Sequence, residues 1–328
     1  MVSIDRRTLI VGSALSALAA PALITRAAFA QAETSMDINH AMPPETNRFQ
    51  LGDFEVVVIK DGARVSDKPG ETFGTDQKPE TVSELLTQNF LPADKFVNGF
   101  SPVLINTGKD VILFDTGMGE QGRPNGMGRL SEGMMAAGYS PEDVTIVVLT
   151  HMHGDHIGGL MEKGKPAFTK ARYIAGQREY DFWTDPARAG TPAEAGQKGV
   201  LANVKPLAEK TTFLSDQGGD VVSGIRGEAA FGHSPGHMIF HVESKGKRLL
   251  LTADTANHFV LSLQRPDWEV KFDMDKANAA ATRKRVFDMA ATERVAFLGY
   301  HMPFPSVGYV EKLDTGYRFV PKSYQFDL

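Results

Sequence analysis

Three histidines and an aspartate crowd into six positions, His151-Met152-His153-Gly154-Asp155-His156, and no other stretch restricts so sharply what the chain can fold into. They follow the apolar run Val144 to Leu149, which is short, β-branched and uncharged and so reads as a buried strand. The cluster therefore stands at the carboxyl end of a strand, where α/β folds place their chemistry, and Gly158-Gly159 lets the backbone turn sharply behind it. Neutral imidazole and carboxylate are good ligands for zinc and similar divalent ions. In an extended or looped segment residues two apart point the same way, so His151 and His153 can grip one ion. Asp155 and His156 are adjacent and diverge, which suits them to a second ion nearby. A solvated polar loop is the plain alternative, and the density of ligand-type residues argues against it.

His151-x-His153-x-Asp155-His156 resembles the signature motif of the metallo-β-lactamase superfamily. The resemblance implies an α/β fold of the αββα sandwich type, two mixed β-sheets flanked by helices, and hydrolysis of esters, lactones, thioesters, amides or phosphoesters. It also implies further ligands at later strand ends. Phe114-Asp115-Thr116-Gly117 closes the apolar run from Val111 and is similar to the family's first motif, so Asp115 is expected to orient ligands rather than bind. Gly232-His233-Ser234-Pro235-Gly236-His237 is similar to the third motif, which gives His233 to the first ion with His151 and His153 and leaves His237 in support. Asp254, after the run Lys247 to Thr252, fits the fourth motif and is expected to bridge both ions. His301, after the run Val295 to Gly299, fits the fifth and joins Asp155 and His156 on the second ion.

The implied cofactor is thus a pair of divalent metal ions, zinc foremost, with manganese, iron or cobalt as alternatives. The implied chemistry is attack by a hydroxide shared between ions about 3.5–4 Å apart. Asp155 is the expected proton shuttle, and His258 or Asn257 the expected donor to the developing oxyanion. Tyr300-His301-Met302-Pro303-Phe304-Pro305-Ser306-Val307-Gly308 and Gly316-Tyr317-Arg318-Phe319-Val320-Pro321 resemble the methyl parathion hydrolase-like branch. That branch implies a homodimeric hydrolase of lactones, aryl esters or organophosphate triesters. The alternatives on the same metals are a thioesterase of the glyoxalase II type or a β-lactamase; a non-catalytic exported metal-binding protein is a third class. The chain has no cysteine, which separates it from the lactamase subgroup that places a cysteine in its second site.

Residues 1–30 read as a twin-arginine signal peptide: Arg6-Arg7, an alanine-rich run from Val11 to Ile24, and the cleavage pattern Ala28-Phe29-Ala30. The expectation is export by the twin-arginine machinery to the periplasm or beyond, with residues 31–328 as one hydrolase domain. No other segment approaches a membrane span. The formal net charge of −5 grows more negative without that segment, and an acidic chain with no basic stripe is a poor nucleic-acid binder. The expected partner is a small-molecule substrate. Phe182, Trp183, Trp268 and Phe272 are candidate walls for an apolar or aryl group, with Phe73 either core or overhanging a pocket.

Among the elements, Phe54 to Ile59, Ala171 to Ala175 and the apolar runs above read as strands. Helices are expected from Thr81 to about Asn89, Leu130 to Ala137, Gln177 to Trp183 and Asp275 to Thr292. Residues 31–50 read as an extended arm, 62–80 as a loop and 184–200 as a surface excursion.

Overall fold

The computed structural model describes residues 44–323, so the expected signal peptide and its cleavage site lie outside the described residues. No helix among the described residues is long and apolar enough to cross a membrane. The first half of the chain supplies β1 (Thr46–Leu51), β2 (Phe54–Ile59), β3 (Gly62–Asp67), β4 (Lys95–Phe100), β5 (Val103–Asn106), β6 (Val111–Phe114), β7 (Ile146–Val148), β8 (Met161–Glu162), β9 (Lys165–Pro166), β10 (Arg172–Gly176) and β11 (Thr211–Leu214). The second half supplies β12 (Gly219–Val222), β13 (Ile225–Ala229), β14 (Met238–Ser244), β15 (Lys247–Ala253), β16 (Ala296–Gly299), β17 (Val307–Leu313) and β18 (Gly316–Pro321). Seven strands pair in the order β1-β2-β5-β6-β7-β10-β11, and seven more in the order β12 to β18. Both sheets are mixed. In the first, β6, β7, β10 and β11 are parallel; in the second, β15 and β16 are the parallel pair.

The layering follows from alternation along each strand. On β2, Val56 and Val58 face the second sheet with Ile105, Phe114 and Val148, and meet Phe240, Leu251 and Leu298 there. Val57 and Ile59 face the other way, with Leu113, Val147, Met134 and Val200. The second sheet repeats the arrangement: Ile239, Leu250 and Phe297 turn outward onto Val286, Phe287 and Ala290 of the helix Lys276–Thr292. Helix, sheet, sheet, helix is the αββα sandwich. Because both faces of each sheet are covered, the central strands are apolar runs, and this is why they were readable as such.

The departures from the sequence reading lie where periodicity is short. Thr46–Leu51 in the expected arm is an edge strand, and residues 62–80 contain β3, which pairs antiparallel with β4 in a separate two-stranded sheet. The first helix starts at Pro79 rather than Thr81, since proline's fixed φ suits a first helical position. Residues 184–200 run into a helix, Glu194–Asn203, that buries Val200 completely, and its alanines, glycines and polar residues leave too few large apolar side chains to show a stripe.

Candidate metal centre

Four strand ends meet along one edge of the sandwich. The parallel strands β6 and β7 release Asp115 and Thr150-His151, and the parallel strands β15 and β16 release Asp254 and Tyr300-His301. Asp115 and Ala253, at two of these exits, have φ of 59° and 43°. A non-glycine residue held there costs about 1–3 kcal/mol and persists where its surroundings over-determine it.

His151 Nε2, His153 Nδ1 and His233 Nε2 converge, with His153 Nδ1 lying 3.0 Å from the first and 2.9 Å from the last. Asp155 Oδ2 lies 3.5 Å from both His156 Nε2 and His301 Nε2. These are two trios of metal-ligand type, each with its ligand atoms within 4.8 Å of one another. Asp254 stands between them. Its Oδ2 is 2.9 Å from His301 Nε2 and 3.3 Å from His233 Nε2, while Oδ1 is 3.2 Å from His156 Nε2. All seven residues named from the sequence are brought together.

The donor set fits a pair of divalent ions on a structural observation. His156 Nε2 and Asp254 Oδ1 are buried and neither has a hydrogen-bond partner, although they face each other across the junction of the trios. Two orphaned polar atoms in a buried cluster call for a ligand that the protein itself does not supply. Burial and the neighbouring imidazoles push His151 far below the ordinary histidine range; burial and His233 bring His153 to about 3. Both rings are neutral and offer lone pairs. Burial opposes charge on Asp254, but the imidazoles of His301, His156 and His233 outweigh it and hold the carboxyl well below its usual range.

Four of the five ligand rings are also gripped on their far side. His156 Nδ1 donates to Asp115 Oδ2 at 2.8 Å, His233 Nδ1 to Asp273 Oδ1 at 3.0 Å, and His301 Nδ1 to the Gly99 carbonyl at 2.8 Å. His151 Nδ1 donates to Thr150 Oγ1 at 3.1 Å, and that hydroxyl donates onward to Asp115 at 2.8 Å. Such contacts fix tautomer and ring orientation. Asp115 therefore orients ligands of both trios. His237 supports the loops: its Nδ1 donates to the Ala230 carbonyl and its Nε2 accepts from the Asp254 amide, each at 3.1 Å.

Three supporting groups escaped the sequence reading. Asp273 carries His233 and is itself paired with the fully buried Arg283 at 2.7 Å. Glu179 is buried beneath the first trio. Asp61 accepts the amides of Met118, Gly128 and Leu130, all at 3.0 Å, and underlies Gly117, where any side chain would strike its carboxylate. Arg283 alone left a signal, since it interrupts the apolar stripe Ala279–Val286–Phe287–Ala290 at a core position.

A cavity of 470 Å³ opens beside His301 and His258, walled by Leu86, Leu91, Phe96, Phe259 and Phe304. The expected aromatic walls are elsewhere. Trp183 is core and sets its ring edge-on to His153 at 5.9 Å; Phe182 is covered by the Arg188 guanidinium. Trp268 belongs to the cluster around Phe73 and Val82, and Phe272 is exposed. Phe73 is core, and its ring edge backs the His258 imidazole at 5.1 Å. The amide nitrogen of Asn257 donates to Asp254 Oδ2 at 2.9 Å, so it steadies the carboxylate between the trios. His258 lines the cavity, and its Nδ1 accepts two backbone amides, Val260 and Leu261, each at 3.1 Å. That leaves the ring's proton on Nε2.

A sequence model of the metallo-β-lactamase superfamily matches residues 101–293. Among characterised proteins, the N-acyl homoserine lactonase of Bacillus cereus is 26% identical over 217 residues, which cover 60% of this chain and 79% of that one. Among solved structures, AidC, a dizinc quorum-quenching lactonase in complex with a homoserine product, is similar with a TM-score of 0.79 and 26% identity. The match covers 86% of this chain and 99% of AidC. The hydrolase AbOPH matches at a TM-score of 0.77 and 24% identity over 85% of this chain and 98% of its own, which bears on the fold alone.

Proposed function

This chain belongs to the metallo-β-lactamase superfamily, and from that premise we propose a dinuclear metal-dependent hydrolase that opens lactones, with aryl esters and organophosphate triesters as further substrates of the same site. One observation carries the reading: six nitrogen and oxygen ligands close around a seventh, Asp254, next to an apolar cavity. Similarity to the two lactonases supports the choice of bond. The first ion would be held by His151, His153 and His233 and the second by Asp155, His156 and His301, with Asp254 shared; when bound, such a pair activates water and takes up negative charge on oxygen.

The chain's own groups divide the remaining work. His258 donates Nε2–H to the substrate's carbonyl or phosphoryl oxygen. Burial holds its imidazole at about 3, so it stays a neutral donor throughout the working pH range. Asp155 is the most exposed of the carboxylates here, with a fifth of its side chain open, and can carry a proton from the attacking water to the leaving oxygen. The 470 Å³ cavity takes the apolar part of the substrate and keeps water from it. Twin-arginine export and a homodimer complete the proposal; they rest on the sequence, and cell fractionation and sedimentation of the mature protein test them.

The decisive experiment is a hydrolysis panel on metal-loaded protein, with His151→Ala as control. The panel contains an acyl-homoserine lactone, dihydrocoumarin, an aryl acetate, methyl paraoxon, a glutathione thioester and a penicillin. Lactone turnover that vanishes in the variant is expected. Turnover of only the thioester or the penicillin keeps the metal site and refutes the substrate, and silence across the panel refutes the enzyme.

A further inference from the structure

Glu179 is a carboxylate buried without a cation. It sits on the helix Gln177–Thr184, is 1% exposed, and takes part in none of the ion pairs among the described residues. Four neutral donors surround it, two to each oxygen. Oε1 accepts the Met152 amide at 3.0 Å and Trp183 Nε1 at 2.7 Å; Oε2 accepts Ser234 Oγ at 2.8 Å and the Gly236 amide at 2.7 Å. A carboxylate offers about four lone-pair sites, so this one is saturated.

The identity of the donors is informative. Met152 lies between His151 and His153, and Ser234 and Gly236 follow His233. These are the two loops that deliver the first trio, and they come from opposite sheets. The approach is close: a Cβ at Gly236 would fall 2.2 Å from the Glu179 amide nitrogen, so only glycine lets the second loop settle on this helix. Trp183, one turn along the helix, adds its ring against His153. Asp155, His156 and His301 hang directly from strand ends and the motif's own turn, and the side-chain tie between their loops is the Tyr300 hydroxyl donating to the Asp155 carbonyl at 2.6 Å, one hydrogen bond where Glu179 accepts four.

We propose that Glu179 is a positioning residue that locks the His151–His153 loop to the His233 loop, so that the first site is assembled before its ion arrives and outranks the second in affinity. The inference rests on the dinuclear reading. It also places a carboxylate beneath three imidazoles, the set that carries no carboxylate of its own.

The test is stepwise zinc titration against a chromophoric chelator, using the mature full chain. Glu179→Gln retains the volume but turns an NH₂ towards two of the four donors. It is made in wild type and in two backgrounds, His301→Ala, where the remaining ion reports the first site, and His153→Ala, where it reports the second. The expected result is a loss of about 10–100-fold in zinc affinity in the first background and less than about threefold in the second. Hydrogen exchange of the metal-free protein is expected to speed up at the Met152 and Gly236 amides. Equal losses in both backgrounds mean that the residue only holds the fold together, and no loss in either means that the loops hold without it; both overturn the proposal. If Glu179→Gln does not fold, Ser234→Ala removes one donor and is expected to weaken the first site alone. A wild type that binds two ions while these variants leave both affinities intact overturns this proposal only, whereas a wild type that binds none overturns the dinuclear reading as well.

Discussion

The two trios hold similar atoms by different means. The first is three imidazoles on two long loops, of which His151 and His153 are kept neutral by burial and by their neighbours, and the loops are steadied from behind by carboxylates that belong to neither. The second mixes two imidazoles with Asp155, and its supports, Asp115 and the Gly99 carbonyl, stand at or beside the strands that carry the ligands. A cation entering the first trio meets no carboxylate ligand except Asp254; in the second it finds two carboxylates already held ionised by their imidazole neighbours, Asp155 at about 2. Preorganisation by remote carboxylates and direct charge compensation are thus two routes to the same ligation.

The sharpest test removes what the trios share. Asp254→Ala is expected to reduce bound metal from two ions towards none and hydrolysis to background, measured by elemental analysis and the lactone assay. Retention of one tightly held ion would show that the trios are independent, and the bridging role would fall.

Asp273→Asn separates the trios. It removes the acceptor behind His233 and leaves Arg283, 1% exposed, without its anion. Zinc affinity of the first trio should fall about 10–100-fold, and the apoprotein should lose about 3–5 kcal/mol from the unpaired buried cation. Denaturant melts of the metal-free protein measure the second effect apart from the first. A stable variant with normal affinity would mean that His233 needs no support.

His258→Phe keeps the ring's stacking on Phe259, at 5.2 Å and 13°, while deleting its donor. The loss in kcat should approach the hundredfold or so typical of one oxyanion donor, with metal content unchanged. A fall in metal content instead would move His258 from the substrate to the scaffold.

How much of this was legible depends on distance along the chain. Every ligand and the sandwich's central strands could be read, because the motif compresses four groups into six residues, His233 stands in a Gly-His-Ser-Pro-Gly-His pattern, and Asp254 and His301 follow apolar runs. Asp115 was readable for the same reason. Glu179, Asp273 and Asp61 were not, since each is a single carboxylate in a polar or mixed segment and the loops it supports at the site lie 27 to 69 residues away. The apolar cavity beside His301 escaped the sequence reading because its walls, Leu86, Leu91 and Phe96, come from a helix end, the short loop after it and the strand that follows, while the bulkier tryptophans drew the reading elsewhere.

A carboxylate–histidine contact outside the site shows why burial, and not length, ranks these pairs. His241 Nε2 donates to Glu228 Oε2 at 2.7 Å, shorter than the 3.0 Å between His233 and Asp273. Yet the Glu228 and His241 side chains are 35% and 32% exposed, against 1% and 3% for Asp273 and His233. The hydrogen bond from His241, joined by Arg285, holds the Glu228 carboxyl down at about 2. A depressed carboxyl stabilises the fold above its unfolded value, near 4.5, and that contribution is lost as pH falls through about 2. Solvent screening keeps such a pair below about 1 kcal/mol. Glu228→Gln should therefore lower stability by only that much at pH 7, with the difference from wild type closing below pH 4, as followed by thermal melts across pH. An effect as large as that of Asp273→Asn would mean that the surface network around β13 matters to the fold as much as the buried supports of the metal centre.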